Sequence, residues 1–126
     1  MSDLWDKACE AAKDARLLFE AGRYDGACNR AYYAMFNAAR ACLATHGVDP
    51  KRAKRHATVQ RLFSLQFVQE GQFDDEDGRA LRRAGEYRNV ADYDDVSVGH
   101  SRVEAVMASM ERFMAAAQRV TEGFDA

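Results

Sequence analysis

The 126-residue sequence has few of the residues that interrupt helices or cross-link chains. It contains one proline, Pro50, and three cysteines, Cys9, Cys28 and Cys42, and no two of these cysteines form a C-x-x-C pair. Cys28 and Cys42 would lie about 21 Å apart on one helix, which is too far for a disulfide. We therefore expect a reduced, cytoplasmic protein without disulfides.

Long apolar segments and an excess of one charge are also missing. No apolar run approaches about 18 residues, and the first residues lack the basic-then-apolar order of a signal peptide, so the sequence predicts no membrane span and no export. Because 18 basic and 20 acidic residues leave a formal charge of -2, nucleic-acid binding would need a local basic patch. The sequence has no Gly-rich phosphate loop, H-E-x-x-H motif or nucleophile elbow, and we expect no cofactor.

Apolar residues recur at helical spacing along nearly the whole chain, and no segment alternates as a strand does. Together with 48% hydrophobic residues, this pattern predicts one domain over residues 1–126, an all-α, antiparallel, up-and-down bundle of four to five helices. The first predicted helix runs from a cap at Ser2 or Asp3 to Ala21-Gly22, and the second from a cap at Asp25 to His46-Gly47. The third contains an apolar set that begins at Val59 and ends near Gly71, the fourth runs from the acidic run 74–77 to about Tyr93, and the last, after a break at 94–99, carries an apolar stripe from Val103 to Val120.

The second predicted helix carries a polar stripe beside a strip of small residues. The small strip allows another helix backbone to approach closely, whereas Tyr32 and Phe36 are assigned to packing. For the polar stripe two interpretations are open, namely hydrogen-bonded cross-links within the core and the lining of a ligand cleft. The stripe consists of Arg30, Tyr33, Asn37 and Arg40, and the small strip of Ala27, Ala31, Ala34, Ala38 and Ala41.

An arginine on the fourth predicted helix supplies a possible opposite wall. Leu81, Ala84 and Arg88 follow one another at three and four residues, so Arg88 projects from the apolar face of that helix. A buried guanidinium needs partners, which either Asp92 or the polar stripe of the second helix can provide. We therefore predict a site between the two helices. The alternative is a buried network of Arg88, Asn89, Asp92 and Tyr93 that only fixes the fourth helix.

Three segments together resemble the HEPN-domain family (higher eukaryotes and prokaryotes nucleotide-binding), above all its small stand-alone prokaryotic members. The resemblance covers nearly the whole chain in the same order and spacing. It implies an all-α, HEPN-like homodimer, often accompanied by a minimal nucleotidyltransferase (MNT) as toxin and antitoxin or as a two-part enzyme. Many members of the larger family are metal-independent ribonucleases. The segments are YDGACNRAYYAMFNAARACL, KRHATVQRLF and EYRNVADYDD.

The sequence departs from the ribonuclease members at one position. Those members carry R-x(4-6)-H; Arg88 matches the arginine, but Tyr93 stands where the histidine is expected, and His100 is too far along. Tyrosine, with a pKa of about 10, is a poor base at neutral pH. Tyr93 could instead donate a hydrogen bond to phosphate or accept a group from the partner. The first hypothesis is therefore a toxin-antitoxin component that binds nucleotide or RNA around R-N-x-A-D-Y, with Arg30, Tyr33, Asn37, Asn89 and Asp92 as ligand-binding residues.

A ribonuclease with a non-standard motif is the alternative hypothesis. Here Arg88 stabilises the scissile phosphate, while Tyr93 or His56 replaces the missing histidine. His56 shares a helix face with Val59 and Phe63, and this position favours a packing histidine at a helix start over a catalytic one.

Two further groups of side chains have weaker patterns. The dense basic cluster of Lys51, Arg52, Lys54 and Arg55 predicts either a solvated loop or a surface for phosphate or an acidic partner. Metal binding is not predicted, because the candidate oxygen and nitrogen ligands have no standard spacing. Those candidates are Asp92, Asp94, Asp95 and His100.

Overall fold

The protein is an all-α bundle, as the sequence predicts. The computed structural model describes residues 3–93 and 97–125, and this part contains five α-helices and no strand. The helices are α1 (Asp3–Glu20), α2 (Tyr24–Thr45), α3 (His56–Phe63), α4 (Asp75–Tyr93) and α5 (His100–Asp125), and α3 continues directly into a π-helical turn at Ser64–Val68.

The central element is α2, which contacts α1, α3, α4 and α5 and packs most extensively against α1. Small side chains on both helices account for this close packing, because they let two helix backbones approach one another. On α2 these residues form the alanine face, all of it buried: Ala27, Ala31, Ala34, Ala38 and Ala41. On α1 they are Ala8, Ala11, Ala12 and Ala15.

A cluster of phenylalanines fills the core near α3. The ring of Phe63 lies 4.7 Å from that of Phe73 and 5.1 Å from that of Phe113 on α5, measured between centroids, and Phe67 in the π-helical turn lies 5.6 Å from Phe63. All four rings are buried. Because these rings hold α3 against the bundle, the first residue of α3, His56, has a fixed position relative to α2 and α4.

The helix ends agree with the sequence in part. Gly22 and Gly47 have φ values of 77° and 83°, the left-handed conformation in which glycine ends helices, and His46 is the C-cap of α2. The prediction that Asp25 caps α2 is wrong. The N-cap is Arg23 without a side-chain hydrogen bond, because the Asp25 carboxylate instead accepts a hydrogen bond from the backbone N–H of Val98, at 2.8 Å, ahead of α5.

The starts of three other helices also bear on the predictions. Asp3 begins α1, whereas Ser2 lies outside the described residues. α3 begins at His56, as expected for a helix-start histidine, three residues ahead of the apolar set that begins at Val59. In the acidic run, the carboxylate of Asp77 accepts the backbone N–H of Asp74 at 3.1 Å, so this run does contribute to the start of α4.

Two properties relate to the chemical environment of the chain. No helix within residues 3–93 and 97–125 has both the length and the apolar character needed to cross a bilayer. Cys9, Cys28 and Cys42 are free thiols. Burial raises the pKa of the Cys42 thiol to about 12, which keeps it protonated and unreactive at neutral pH.

Candidate functional site

A cleft opens between α2, α3 and α4, at the place where the sequence predicts two facing walls. Its volume is about 310 Å³. We call it the Arg88 cleft. The residues that line it are Tyr32 of α2, His56, Ala57 and Gln60 of α3, and Arg82, Gly85, Glu86, Arg88 and Asn89 of α4.

Tyr32 is buried except for its contribution to the floor of the cleft. Its side chain is 1% exposed, and its hydroxyl is hydrogen-bonded to Nδ1 of His56. Burial raises the pKa of Tyr32 to about 12, although a hydrogen bond from Gln60 and the positive charge of Arg88 act in the opposite direction. The phenol therefore keeps its proton throughout the physiological range.

His56 is held by ring stacking as well as by the hydrogen bond. Its imidazole stacks on Phe36 with centroids 4.5 Å apart and planes 25° apart, and lies 5.4 Å from the Tyr32 ring. Burial, and then the nearby charge of Arg88, lower the pKa of His56 below its ordinary value. The imidazole is therefore neutral at pH 7.

The guanidinium of Arg88 is turned toward α2, as predicted from its position on the apolar face of α4. Its Cζ lies 5.4 Å from the ring centroid of Tyr32 and 5.5 Å from that of Tyr33. Contact of this kind between a guanidinium and an aromatic ring is favourable by about 0.5–2 kcal/mol. One terminal nitrogen, Nη2, also donates a hydrogen bond to Oδ1 of Asn89 at 2.8 Å. Arg88 thus stands at the wall of the cleft, with its guanidinium against the rings of Tyr32 and Tyr33 and one hydrogen bond to Asn89.

Gly85 leaves the space that α4 needs beside Tyr32. A Cβ atom at this position would lie 3.0 Å from Cε1 of Tyr32 and 3.5 Å from Nε2 of Gln60. Glycine inside a helix costs about 1 kcal/mol relative to alanine, so close approach to the tyrosine is a physical reason for its presence.

Of the nine lining residues, only His56, Arg88 and Asn89 are predicted from the sequence. The six others are Tyr32, Ala57, Gln60, Arg82, Gly85 and Glu86. The sequence pattern assigns Tyr32 to packing, yet a buried tyrosine hydroxyl needs a partner, and that need is the available signal. A glycine within the otherwise helical segment 75–93 is a second signal. Nothing in the sequence singles out Gln60.

The other predicted ligand-binding residues are distributed around the cleft. Tyr33 is half-buried, with Cζ of Arg30 5.1 Å from its ring centroid. Arg30 donates from Nε and Nη2 to Oδ1 of Asn29, at 3.1 and 3.0 Å. Asn37 is half-buried and is not among the lining residues. The structure therefore brings Arg88 and Tyr33 together but leaves Asn37 outside the cleft.

The predictions for Asp92 and Tyr93 are not tested by this geometry. Both residues end α4, and their side chains lie outside the described part of the structure. Their roles stay predictions. Asp94 and Asp95 also lie outside the described residues.

The basic cluster forms the loop between α2 and α3, and Arg40 anchors that loop. Arg40 donates from Nε to the carbonyl oxygen of Ala53 at 3.0 Å and from Nη2 to that of Pro50 at 2.8 Å. The four predicted cationic residues, Lys51, Arg52, Lys54 and Arg55, are exposed. Because Arg55 directly precedes His56, the basic loop ends at the edge of the Arg88 cleft.

Metal ligands are not grouped in the described part of the chain. No three His, Cys, Asp or Glu side chains within residues 3–93 and 97–125 lie close enough to hold an ion together. His100 begins α5 and packs on aromatic rings, with centroids 5.4 Å from Phe19 and 5.1 Å from Tyr24.

Comparison with known proteins gives matches over most of the chain. A family model for the HEPN domain matches residues 1–120. A Methanocaldococcus jannaschii protein named "Putative toxin" is 36% identical over 100 residues, which cover 79% of this chain and 72% of the relative. A second protein of that organism, with the same description, is 32% identical over 94 residues, 75% of this chain and 62% of the relative. A Thermotoga maritima protein named "UPF0332 protein" is 31% identical over 117 residues, 92% of this chain and 86% of the relative.

Proposed function

Because this chain belongs to the HEPN domain family, we propose that it is a toxin-like protein whose Arg88 cleft binds the phosphate of a nucleotide or of RNA. The observation that carries the proposal is the guanidinium of Arg88, held at the cleft wall against Tyr32 and Tyr33. A planar guanidinium offers donors in the geometry that phosphate oxygens accept.

The charge of the cleft supports this proposal although the whole chain is slightly acidic. Arg82 and Arg88 line the cleft with one acidic residue, Glu86, and with the neutral His56. The exposed cations of the loop 51–55 lie next to it along the chain. A local positive potential of this kind attracts phosphate without a basic protein overall.

Binding of a fluorescently labelled RNA oligonucleotide and of AMP tests the proposal. Arg88→Ala should weaken binding of both ligands at least tenfold, since a hydrogen-bonded charge contributes about 1.5–3 kcal/mol. The matched control is Arg119→Ala, which removes the same charge from an exposed position of α5 outside the cleft. Equal affinity of wild type and a folded Arg88→Ala variant would exclude the cleft as the binding site.

The partner we propose is a minimal nucleotidyltransferase of the MNT type. Family membership and relatives named as toxins support a toxin-antitoxin pair. Expression of the chain alone should arrest growth, as expected for a toxin. Co-expression with the product of its neighbouring gene should yield a stable complex and relieve that arrest. Two results together would count against this partner. The neighbouring gene would encode no nucleotidyltransferase, and the purified chain would not bind a nucleotidyltransferase supplied separately.

We also propose that the chain acts as a homodimer. Leu17 on α1 and Leu65 after α3 are 67% and 44% exposed, and a groove of about 380 Å³ lies between α4 and α5. Such apolar surface is available for a second copy. A monomeric mass in light scattering at micromolar concentration would contradict the proposal.

A second candidate function is a metal-independent ribonuclease. The observation in its favour is that His56 lies in the same cleft as Arg88, which brings an imidazole near a phosphate-stabilising charge without the usual motif histidine. Purified wild type should then cleave RNA at neutral pH in the presence of a chelator, and both His56→Ala and Arg88→Ala should abolish cleavage. If purified protein does not cleave RNA, the ribonuclease function is excluded and binding is the remaining candidate.

A further inference from the structure

We propose that Tyr32 fixes His56 as the tautomer whose proton is on Nε2, so that His56 presents a hydrogen-bond donor, and not a proton acceptor, to a phosphate bound at Arg88. The inference rests on the proposed function, because it concerns the same phosphate in the same cleft. It assigns Tyr32 as a positioning residue and His56 as a second ligand-binding donor.

The direction of the Tyr32 hydroxyl proton is the first step. The hydroxyl is hydrogen-bonded to Nδ1 of His56, and either group could in principle supply the hydrogen. A phenol O–H is a stronger donor than a neutral imidazole N–H, and the lone pair of an imidazole nitrogen is a stronger acceptor than a phenol oxygen. The hydroxyl of Tyr32 therefore donates, and Nδ1 accepts.

The protonation of the imidazole follows from that bond. A neutral imidazole carries one proton, so a ring whose Nδ1 accepts a hydrogen bond carries the proton on Nε2. Burial and the charge of Arg88 favour the neutral ring. Of the other ionisable groups around His56, Arg82 and Glu86 line the same cleft, Arg55 precedes His56 in the chain, and the rings of Tyr32 and Tyr33 pack against the imidazole.

The place of the donor is set by the packing of the ring. His56 lines the cleft while stacked on Phe36 at 4.5 Å, so the plane of the imidazole is fixed. Because Tyr32 occupies Nδ1, Nε2 is the ring nitrogen left for a ligand. Arg88 lines the same cleft, and a phosphate there would meet one charged and one neutral donor.

This arrangement has a consequence for the ribonuclease alternative. A general base must have a free lone pair at the nitrogen that faces the substrate. In the Nε2-protonated tautomer that lone pair is absent, and Nδ1 is occupied by Tyr32. His56 thus stabilises a bound phosphate and does not activate a nucleophile. An enzyme built on this cleft would need its base from another residue.

The tautomer is measured directly by nitrogen NMR on the full chain with ¹⁵N-labelled histidine. At about pH 7.5, above the ordinary pKa of histidine, His56 should show a protonated Nε2 and an unprotonated Nδ1. The signals are assigned by their loss in His56→Gln, which leaves His46 and His100 in place. In Tyr32→Phe, which preserves the ring, both tautomers should appear. A His56 protonated on Nδ1 in the wild type would overturn the inference.

The role of the donor is measured with a dinucleoside monophosphate, ApA, whose phosphodiester keeps a constant charge over the range tested. Wild-type affinity should stay unchanged between about pH 6.5 and 8.5, because the neutral ring is the donor. His56→Ala should bind ApA about tenfold more weakly, as expected for a lost hydrogen bond to a charged group. His56→Gln should retain more affinity, since its amide N–H can reach the place of Nε2.

Four outcomes separate this inference from the proposed function, two for each. Affinity that falls as the pH rises through the titration of His56, or a folded His56→Ala that binds ApA as wild type does, overturns the inference alone. A wild type that does not bind ApA, or an Arg88→Ala variant that binds it unchanged, overturns the proposed function. The NMR measurement without ligand still decides the tautomer in that case.

Discussion

The two faces of α2 differ in chemistry far more than in burial. Ala31 and Tyr32 are neighbours in sequence and are 0% and 1% exposed. Ala31 belongs to the alanine face, whose side chains have no hydrogen-bonding groups, whereas the Tyr32 hydroxyl bonds to His56 in a cleft. Burial therefore does not separate scaffold from site in this helix. The separation comes from which buried side chains carry a polar tip, and from whether that tip reaches a cavity.

A bulky residue on the alanine face should have the largest effect on stability. Ala38→Leu adds three carbon atoms at a position with no exposed surface, and overpacking of this kind costs about 1–3 kcal/mol. Urea unfolding should show a lower midpoint with an unchanged slope. Binding of ApA by the folded variant should match wild type, because Ala38 does not line the cleft. If Ala38→Leu lost ApA binding but kept its stability, the alanine face would belong to the binding site and not to the scaffold.

A methyl group added on the cleft side should reduce stability less than Ala38→Leu does, and should weaken ligand binding more. In Gly85→Ala the new Cβ would lie 3.0 Å from Cε1 of Tyr32, whose ring is buried and tied to His56. The gain in helix propensity, about 1 kcal/mol, opposes an overpacking cost of similar or larger size. We expect a net loss of up to about 1 kcal/mol in urea unfolding and weaker ApA binding.

Gly123→Ala is the matched control for that substitution. Gly123 also lies in a helix, α5, but a Cβ there would meet no atom within 4 Å. Only the propensity gain remains, so stability should rise by up to about 0.5–1 kcal/mol, with ApA binding unchanged. If Gly85→Ala raised the free energy of unfolding as much as Gly123→Ala, the close contact between the new Cβ and Tyr32 would cost no stability.

The sequence predicts the scaffold better than the cleft, for a physical reason. Helical periodicity and the glycines at 22 and 47 are local signals, and they place α1 and α2 to within about two residues. The inward direction of Arg88 could also be predicted, because the spacing from Leu81 and Ala84 is local to one helix. The resemblance to the HEPN family added the order of the motifs, and the match of the HEPN family model confirms that resemblance.

Contacts between distant segments are what sequence patterns alone could not supply. Tyr32 and His56 are 24 residues apart, and their hydrogen bond depends on how α3 packs against α2. The same limit explains Asp25, whose carboxylate binds Val98 from 73 residues away. Sequence patterns predict a local partner for such a residue, here the start of its own helix, whereas in the structure Asp25 bonds to a distant segment.

The smallest expected effect concerns an exposed ion pair that joins α1 to α5, on the side of the scaffold. Arg16 donates from Nε and Nη2 to the two carboxylate oxygens of Glu111, at 2.8 and 2.6 Å, and these bonds lower the pKa of Glu111. About half of each side chain is exposed to solvent. Solvent screening therefore limits the contribution of the pair to a few tenths of a kcal/mol, roughly 0.2–1 kcal/mol at most.

The sign of its pH dependence follows from the lowered pKa. Glu111 binds a proton less readily in the folded chain than in the unfolded chain, so the contribution is fully present above the unfolded pKa of about 4.3. It is lost as the pH falls through the lower folded pKa. Glu111→Gln should therefore be slightly less stable than wild type in urea unfolding at pH 7, and the difference should vanish in acid. A difference that persisted below the folded pKa would point to packing of the two side chains, and not to their charges, as the link between α1 and α5.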